Sequence, residues 1–459
     1  MAYKDISGNE YYFLEDIPKG AVFDLLELPN EDFTKLPKKL ATITVKNLNL
    51  EYCRSLTSLR GLPQGLKYLC CNFTDITSLK GLPEGLEDFR CWKTPITSLE
   101  GLPKGLKELV CGFTRITSLE GLPEGLEALY CPHTAITSIK GLPESLKKLN
   151  FESTLVASLE GLPKGLEVLN CCNTCITSLE GLPQGLKELH CGGTDITSFK
   201  GLPQDLEFLY CSNTHINSLR GLPQSLKKLI CCETHITSLE GLPEGLEYLD
   251  CSNTLITSLE GAPKGIKSID CRKCQKLTSF EGVPRSVEEI NCAGCVNLTS
   301  LEGLPQRLKV FNCYHTNLTS LEGLPQGLKE LNCHSSSITS LEGVPRGIES
   351  IFCDGCDKIK YIPDYIPDDV IRGLSKEKIA ECKANWKKEQ QVLEKQKAEL
   401  EKQKAEIVSR FMKVPTTCDA KKTGKIDKVK TGKIDKICQR IFHPFATYNA
   451  NTADKVREK

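Results

Sequence analysis

Cysteine is the residue type here that most invites a chemical reading: the 459-residue chain holds 25, with 7 histidines. Thiolates and imidazoles hold zinc, and C-x-x-C pairs hold metal or exchange with disulfides. Such pairs stand at Cys271/Cys274, Cys292/Cys295 and Cys353/Cys356, and His215 and His235 flank Cys232 at a spacing that suits a shared ion. Against that chemistry stands the regularity of the pattern. Cys71, Cys91, Cys111 and Cys131 are 20 apart, as are Cys171, Cys191, Cys211, Cys231, Cys251 and Cys271; Cys292, Cys313, Cys333 and Cys353 follow at nearly the same interval. The tandem pairs fall in register with this column, so repetition explains their spacing without zinc. The two histidines have no evident third and fourth ligand. No GxxxxGK[ST], HExxH, GxSxG or kinase motif is present, and no carboxylates are paired for acid–base work.

The cysteines belong to a 20-residue repeat, LPxGLxxLxCxxTxITSLxG. Its column slot takes Phe151 in one copy, and Leu50 fits as an irregular first member, giving 16 copies over residues 45–363 (14 with Cys, one Phe, one Leu). The LxxLxC segment predicts a short strand, with Leu106, Leu109 and Cys111 on one side and Glu108, Val110 and Gly112 on the other. One such strand cannot bury its own face, whereas stacked copies share a core. Proline in every repeat disfavours a helix on the return path, so extended and turn segments are expected there. At strand spacing, 16 copies would cover an arc of roughly 75 Å. Neighbouring column thiols fall within disulfide range, yet parallel side chains aimed into a core suit packing better, and buried thiols are poorly reactive.

LxxLxCxxTxI resembles the leucine-rich-repeat signature LxxLxLxxNxL. The 20-residue period and the LPxxL segment resemble the bacterial short-repeat class, best known from the YopM/IpaH effector group. The resemblance implies an α/β horseshoe, a leucine-rich-repeat solenoid with a parallel sheet on its concave face. It also implies a bacterial protein acting in a host cytosol. This chain departs from the signature in two slots. Cysteine replaces the third leucine, and threonine (Thr74, Thr94, Thr114, Thr134) mostly replaces the asparagine that ties neighbouring turns; its hydroxyl is expected to do the same. Cys53, Cys274, Cys295 and Cys356 take that slot in a C-x-x-L variant.

Comparing the copies with each other separates packing from function. ITSLEGLP hardly varies, while the residue before the column runs through Arg90, Tyr130, His190, Tyr210, Asp250 and Asp270. Many large side chains above an unchanging frame are what a modular binding platform needs. One aromatic cluster holds Tyr68, Phe73, Trp92, Phe113, Tyr130 and His133; a second holds His190, Phe208, Tyr210, His215, His235 and Tyr248. Each can meet a partner or pack on the next turn. The partner-binding set expected on the concave face is therefore Tyr68, Arg90, Trp92, Phe113, Tyr130, His190, Phe208, Tyr210, His215, His235, Tyr248, Asp250 and Asp270.

The ends differ from the array. Residues 1–44 carry apolar segments that suit an N-terminal cap, and the solenoid runs over 45–372. Residues 373–412 read as a charged helix with Ile379, Trp386, Leu393, Leu400 and Ile407 spaced by seven. The companion core position is polar, so a solvated helix competes with a half-formed coiled coil for self-association. Residues 413–459 read as a basic, disordered tail. Lys and Arg equal Asp and Glu at 59 each, but 22 basic and 12 acidic residues fall in 373–459, so an acidic body precedes a basic tail. No membrane span, nucleic-acid partner, metal or other cofactor is expected. The start lacks a conventional secretory signal, so a reducing, cytoplasmic compartment is expected. Together these features describe a non-enzymatic interaction scaffold. The alternatives are thiol chemistry in the tail and a Cys/His metal or redox protein. Proteins of the IpaH kind carry a ligase domain with a catalytic cysteine, but Cys418 followed by Asp419 does not match its C-x-D motif, and the tail is short for such a domain.

Overall fold

The computed structural model describes residues 3–412, with side chains to 407; the basic tail lies outside the described residues. The chain divides into two units, 1–390 and 391–459. The first unit opens with a hairpin, β1 (Tyr3–Lys4) and β2 (Glu10–Tyr11). Two six-residue strands follow, β3 (Val22–Glu27) and β4 (Thr44–Asn49). Fifteen three-residue strands come next, β5 (Tyr68–Cys70) through β19 (Ser350–Phe352), and then β20 (Ile371–Arg372). The sheet from β3 to β20 is parallel, each strand pairing with the next in chain order. Residue i faces residue i+20 in most pairs, as Glu108 faces Ala128. Although the strand order can be written as a ring, β20 hydrogen-bonds to β19 and β3 to β4, and among the described residues no backbone bond joins β20 to β3. The fold is a leucine-rich-repeat solenoid, as the repeat implied.

The 16 sequence copies correspond to β4–β19, and the array extends one strand further at each end. Residues 1–44 supply the first strand as well as covering the end: Phe23, Leu26 and Leu28 are buried in the slots that Leu66, Leu69 and Cys71 fill later. At the other end α1 (Lys376–Met412) takes over the cap. Ser375 starts it, its Oγ accepting the Lys378 N–H, the usual way to satisfy an orphan donor. Ile379 and Cys382 are buried against the last turn, and Lys383 donates to the Ile366 carbonyl at 2.7 Å. So the seven-residue series of this helix begins as a lid on the solenoid core. In the second unit Val392, Leu393 and Ile407 of the same helix are exposed.

Each repeat is built from two tight turns and a strand. Leu102 N–H bonds Leu99 O, and Leu106 N–H bonds Pro103 O; between them proline holds the chain extended. Glycine after the first turn is required where the chain bends back. At Gly201 φ is +98°, and an added Cβ would stand 2.6 Å from the Leu179 carbonyl oxygen of the turn beneath. Inside, Leu106, Leu109, Cys111, Ile116 and Leu119 are buried together and stack on their counterparts. A buried leucine contributes about 2 kcal/mol, so such columns carry the solenoid.

The slot threonines bond mainly within their own turn, and Thr254 also reaches Cys274 Sγ of the next turn at 3.5 Å. Thr114 Oγ1 donates to Cys111 O of its own turn at 2.7 Å, and the other threonines of the slot repeat this. The C-x-x-L cysteines make the inter-turn bond instead: Cys53 Sγ donates to Leu28 O, Cys274 to Cys251 O, Cys295 to Cys271 O and Cys356 to Cys333 O.

A feature absent from the sequence reading runs beside the strands. The residue preceding each strand from β5 to β17 alternates Lys67, Glu87, Lys107, Glu127, Lys147, Glu167 and onward to Glu288 and Lys309, and Lys329 then breaks the alternation. Lys67 Nζ lies 2.6 Å from Glu87, Lys107 2.8 Å from Glu127, Lys227 2.8 Å from Glu207 and Lys309 2.6 Å from Glu288. Like charges one strand apart would repel, so alternation removes a penalty that copying would otherwise repeat in every turn. The lysine hydrogen bond holds the carboxyls of Glu87, Glu127, Glu207 and Glu288 below their ordinary value.

Two outcomes follow. Gly201→Ala should lower the unfolding free energy by about 2 kcal/mol in a denaturant titration, since it combines a left-handed backbone with a backbone clash; an unchanged midpoint would contradict this geometry. The stabilisation from the lysine–glutamate row should be complete above the ordinary glutamate range and fall as pH drops through the lowered folded values. Thermal melts at pH 6 and pH 3 should show that loss, weaker in 1 M salt and weaker again in Glu127→Gln.

Candidate functional site

Strands β6 (Asp88–Arg90), β7 (Glu108–Val110), β8 (Ala128–Tyr130) and β9 (Lys148–Asn150) present their outer residues to solvent on one face. After each column residue the chain leaves the strand through two residues, the second left-handed: φ is +55° at Phe113 and at His133. That conformation swings these rings over the strand ends. Phe113 stacks on His133 with centroids 4.2 Å apart, and Trp92 meets Phe113 at 5.0 Å. Between these rings and Tyr130 opens a cleft of about 410 Å³.

Two small residues stand near the cleft. Ala128 takes the outer position where neighbouring strands carry Glu108 and Lys148. Gly112 lies beneath Trp92: a Cβ there would stand 2.5 Å from Trp92 Cζ3. The Trp92 N–H is also held by Asn72 Oδ1 at 2.8 Å. Arg90 lies along one side, bound to Asp88 at 3.2 Å and Glu108 at 3.4 Å, with its guanidinium 5.4 Å from the Tyr68 ring centre. Burial pushes the Tyr68 hydroxyl up to about 12 and raises Tyr130, so both remain neutral phenols. Glu152 lines the far side; Asn170 Nδ2 donates to it at 3.2 Å.

The second cluster is filled by its own lysine. Lys228 Nζ sits 5.4 Å from the Phe208 ring centre and 4.9 Å from that of Tyr248, a cation held between two aromatic faces. His190 packs on Phe208 at 5.0 Å, and its Nε2 lies 2.6 Å from Glu188. Tyr210 lies over Gly192, which leaves no room there for a Cβ.

Other sequence candidates sit elsewhere. Asp250 is buried: its carboxylate accepts from the Ser252 backbone and hydroxyl, and Arg272 approaches it at 3.8 Å. Asp270 accepts from Ser252, Arg272 and Asn291. These aspartates close the turn after the strand, as Asn150, Asn170 and Asn312 do. His215 and His235 stack 6.1 Å apart, as neighbours in one slot should, but they follow the post-strand turn and do not stand on the strands. Trp92 and Phe113 likewise belong to turns. Sequence reading missed Glu152, Ala128 and Gly112; the small residues in variable slots were their available signal.

The column cysteines are free and buried. Burial pushes Cys131 up to about 12 and Cys111 and Cys191 well above the ordinary thiol value. The Cys251 thiol lowers Cys274 to about 7, yet Cys274 is buried and donates its S–H to a carbonyl at 3.2 Å, the arrangement of a neutral thiol. Cys175 is exposed. Among the described residues no three His, Cys, Asp or Glu side chains gather as a metal site. Cys418 lies outside the described residues.

No protein-family model and no curated protein matches the chain. Solved structures do. YopM from Yersinia enterocolitica is 24% identical, with a TM-score of 0.53 over 74% of this chain and 78% of its own. The functional domain of InlJ from Listeria monocytogenes, which includes a cysteine ladder, is 22% identical with a TM-score of 0.52 over 68% and 71%. YopM from Yersinia pestis, described as a leucine-rich effector protein, is 22% identical with a TM-score of 0.50 over 71% and 87%. At this identity they establish a shared leucine-rich-repeat fold.

Thiol mapping tests the packing role. Alkylation of the folded protein at neutral pH should mark Cys175 and leave Cys71, Cys111 and Cys191 untouched until denaturant is added. Labelling of the column in the folded state would mean the thiols are reachable and reactive.

Proposed function

We propose that this chain is a non-enzymatic scaffold that binds a protein partner through the concave face of its solenoid and the adjoining turns. One observation carries the reading: four aromatic rings, Trp92, Phe113, Tyr130 and His133, border one cleft on a frame whose packing residues hardly change. Aromatic side chains that are partly exposed and already held by neighbours bury large area at little entropic cost when a partner arrives. The second cluster, with Tyr210 and His190, extends the same face. The column of free, buried thiols supports a reducing compartment, in keeping with a cytoplasmic site of action. The effector description of one structural relative supports extending the proposal to a host-directed role in the host cytosol.

The test is affinity capture from a reducing cytosolic lysate with the full chain. Its comparison is the triple variant Trp92→Ala, Tyr130→Ala and Tyr210→Ala, checked for an unchanged circular dichroism spectrum. A partner held by the parent and lost by the variant supports the reading. Equal capture by both would move binding away from this face.

A further inference from the structure

The cleft beside Trp92 has the composition of a cation receptor. Its lining includes the rings of Trp92, Phe113 and Tyr130 and the carboxylates of Glu108 and Glu152. The one cation along it, Arg90, is already matched by Asp88 and Glu108, so the three charges leave one net negative. Glu152 adds another, and among the described residues it has no ion-pair partner; its contact is the neutral amide of Asn170. Aromatic faces attract cations through the ring quadrupole, and a flanking carboxylate adds charge that a neutral guest cannot use.

The molecule displays the mode elsewhere in the same sheet. In the second cluster, Lys228 lies between Phe208 and Tyr248, rings two turns apart with the lysine on the strand between them. At the first cluster the same slot reads Glu108, Ala128 and Lys148, and the rings stand in neighbouring slots, so no strand lysine of this chain is held between them as Lys228 is. The rings are set in advance: Gly112 lets Trp92 lie flat, and the left-handed Phe113 is braced by His133. The left-handed turn recurs in this slot along the array, at Lys93, Ser153 and Glu233 among others, so the solenoid itself fixes where the Phe113 and His133 rings stand.

We propose that this cleft receives a cationic side chain, an arginine or lysine, from a protruding segment of the protein partner. The inference rests on the scaffold reading above and specifies the chemistry of what docks. Arginine fits best, because its planar guanidinium stacks on a ring while its N–H groups meet Glu152 and Glu108.

The experiment titrates the full chain with Nα-acetyl-argininamide and, in parallel, with the neutral isostere Nα-acetyl-citrullinamide, following tryptophan emission. The chain has 2 tryptophans, so the parent carries Trp386→Phe to leave Trp92 as the reporter. Arginine should give a saturable change in the millimolar range, about tenfold tighter than citrulline. Glu152→Gln, a surface change that leaves the rings alone, should weaken arginine about threefold and leave citrulline unchanged. Gly112→Ala should shift the Trp92 emission itself and weaken arginine further. Equal responses to arginine and citrulline, no saturable response with the fold intact, or an indifferent Glu152→Gln would each overturn the cation assignment. Those failures leave the scaffold reading standing if the triple variant still loses its partner. Arginine binding together with capture unaffected by the triple variant would sink the partner reading while keeping the cation site.

Discussion

One constraint governs this molecule: the parallel ladder places each residue directly over its counterpart in the next turn. Asn170 pairs with His190, and His190 with Tyr210. Every side chain therefore has a copy of its own slot as a close neighbour on both sides, about 4.8 Å away. A slot can hold only what stacks on itself or on the residue paired with it. Leucine and isoleucine satisfy this by interdigitating in the core. Cysteine satisfies it because the sulfur is small, tolerates close neighbours and can lean on a carbonyl of the next turn, as Cys171 does on His190 O. Charges satisfy it by alternating, as in the Lys67–Glu87–Lys107–Glu127 sequence, or by sharing an arginine, as the paired Asp88 and Glu108 share Arg90. Glycine is demanded where the backbone of one turn presses on the next, as Gly201 does on Leu179.

The same constraint explains what could be read without a structure. Slots that repeat report themselves, so the strand, the buried column and the solenoid followed from LxxLxC and its period. The threonine slot was legible as polar and inward, but the direction of its hydroxyl was not. Whether Thr114 reaches up, down or back along its own turn is a choice of χ1 rotamer, which a repeat pattern does not report. Position alone likewise assigned Asp250 to the open face. Its burial comes from Ser252 and Arg272 closing over it, and those residues lie in slots that vary freely. The first strand, β3, escaped notice because Phe23-x-x-Leu26-x-Leu28 keeps the packing geometry and drops the cysteine that marks the other copies. The lysine–glutamate row was present in the sequence and went unread because its true period is two repeats.

Binding surface in such a fold arises from local departures, since a slot obeying the column rule is already satisfied by its neighbours. The second aromatic cluster obeys it: Phe208, Lys228 and Tyr248 form a closed stack in which the cation is supplied by the chain. The first cluster breaks it twice. Ala128 is shorter than the residues above and below, and Gly112 removes a side chain so that Trp92 can lie down. The Gly112 break lets the indole lie over the turn, where it borders the cleft. A group entering this cleft would meet the rings of Trp92, Phe113 and Tyr130 and the carboxylates of Glu108 and Glu152. The cation proposed for the cleft is thus the group that those rings and carboxylates would complement.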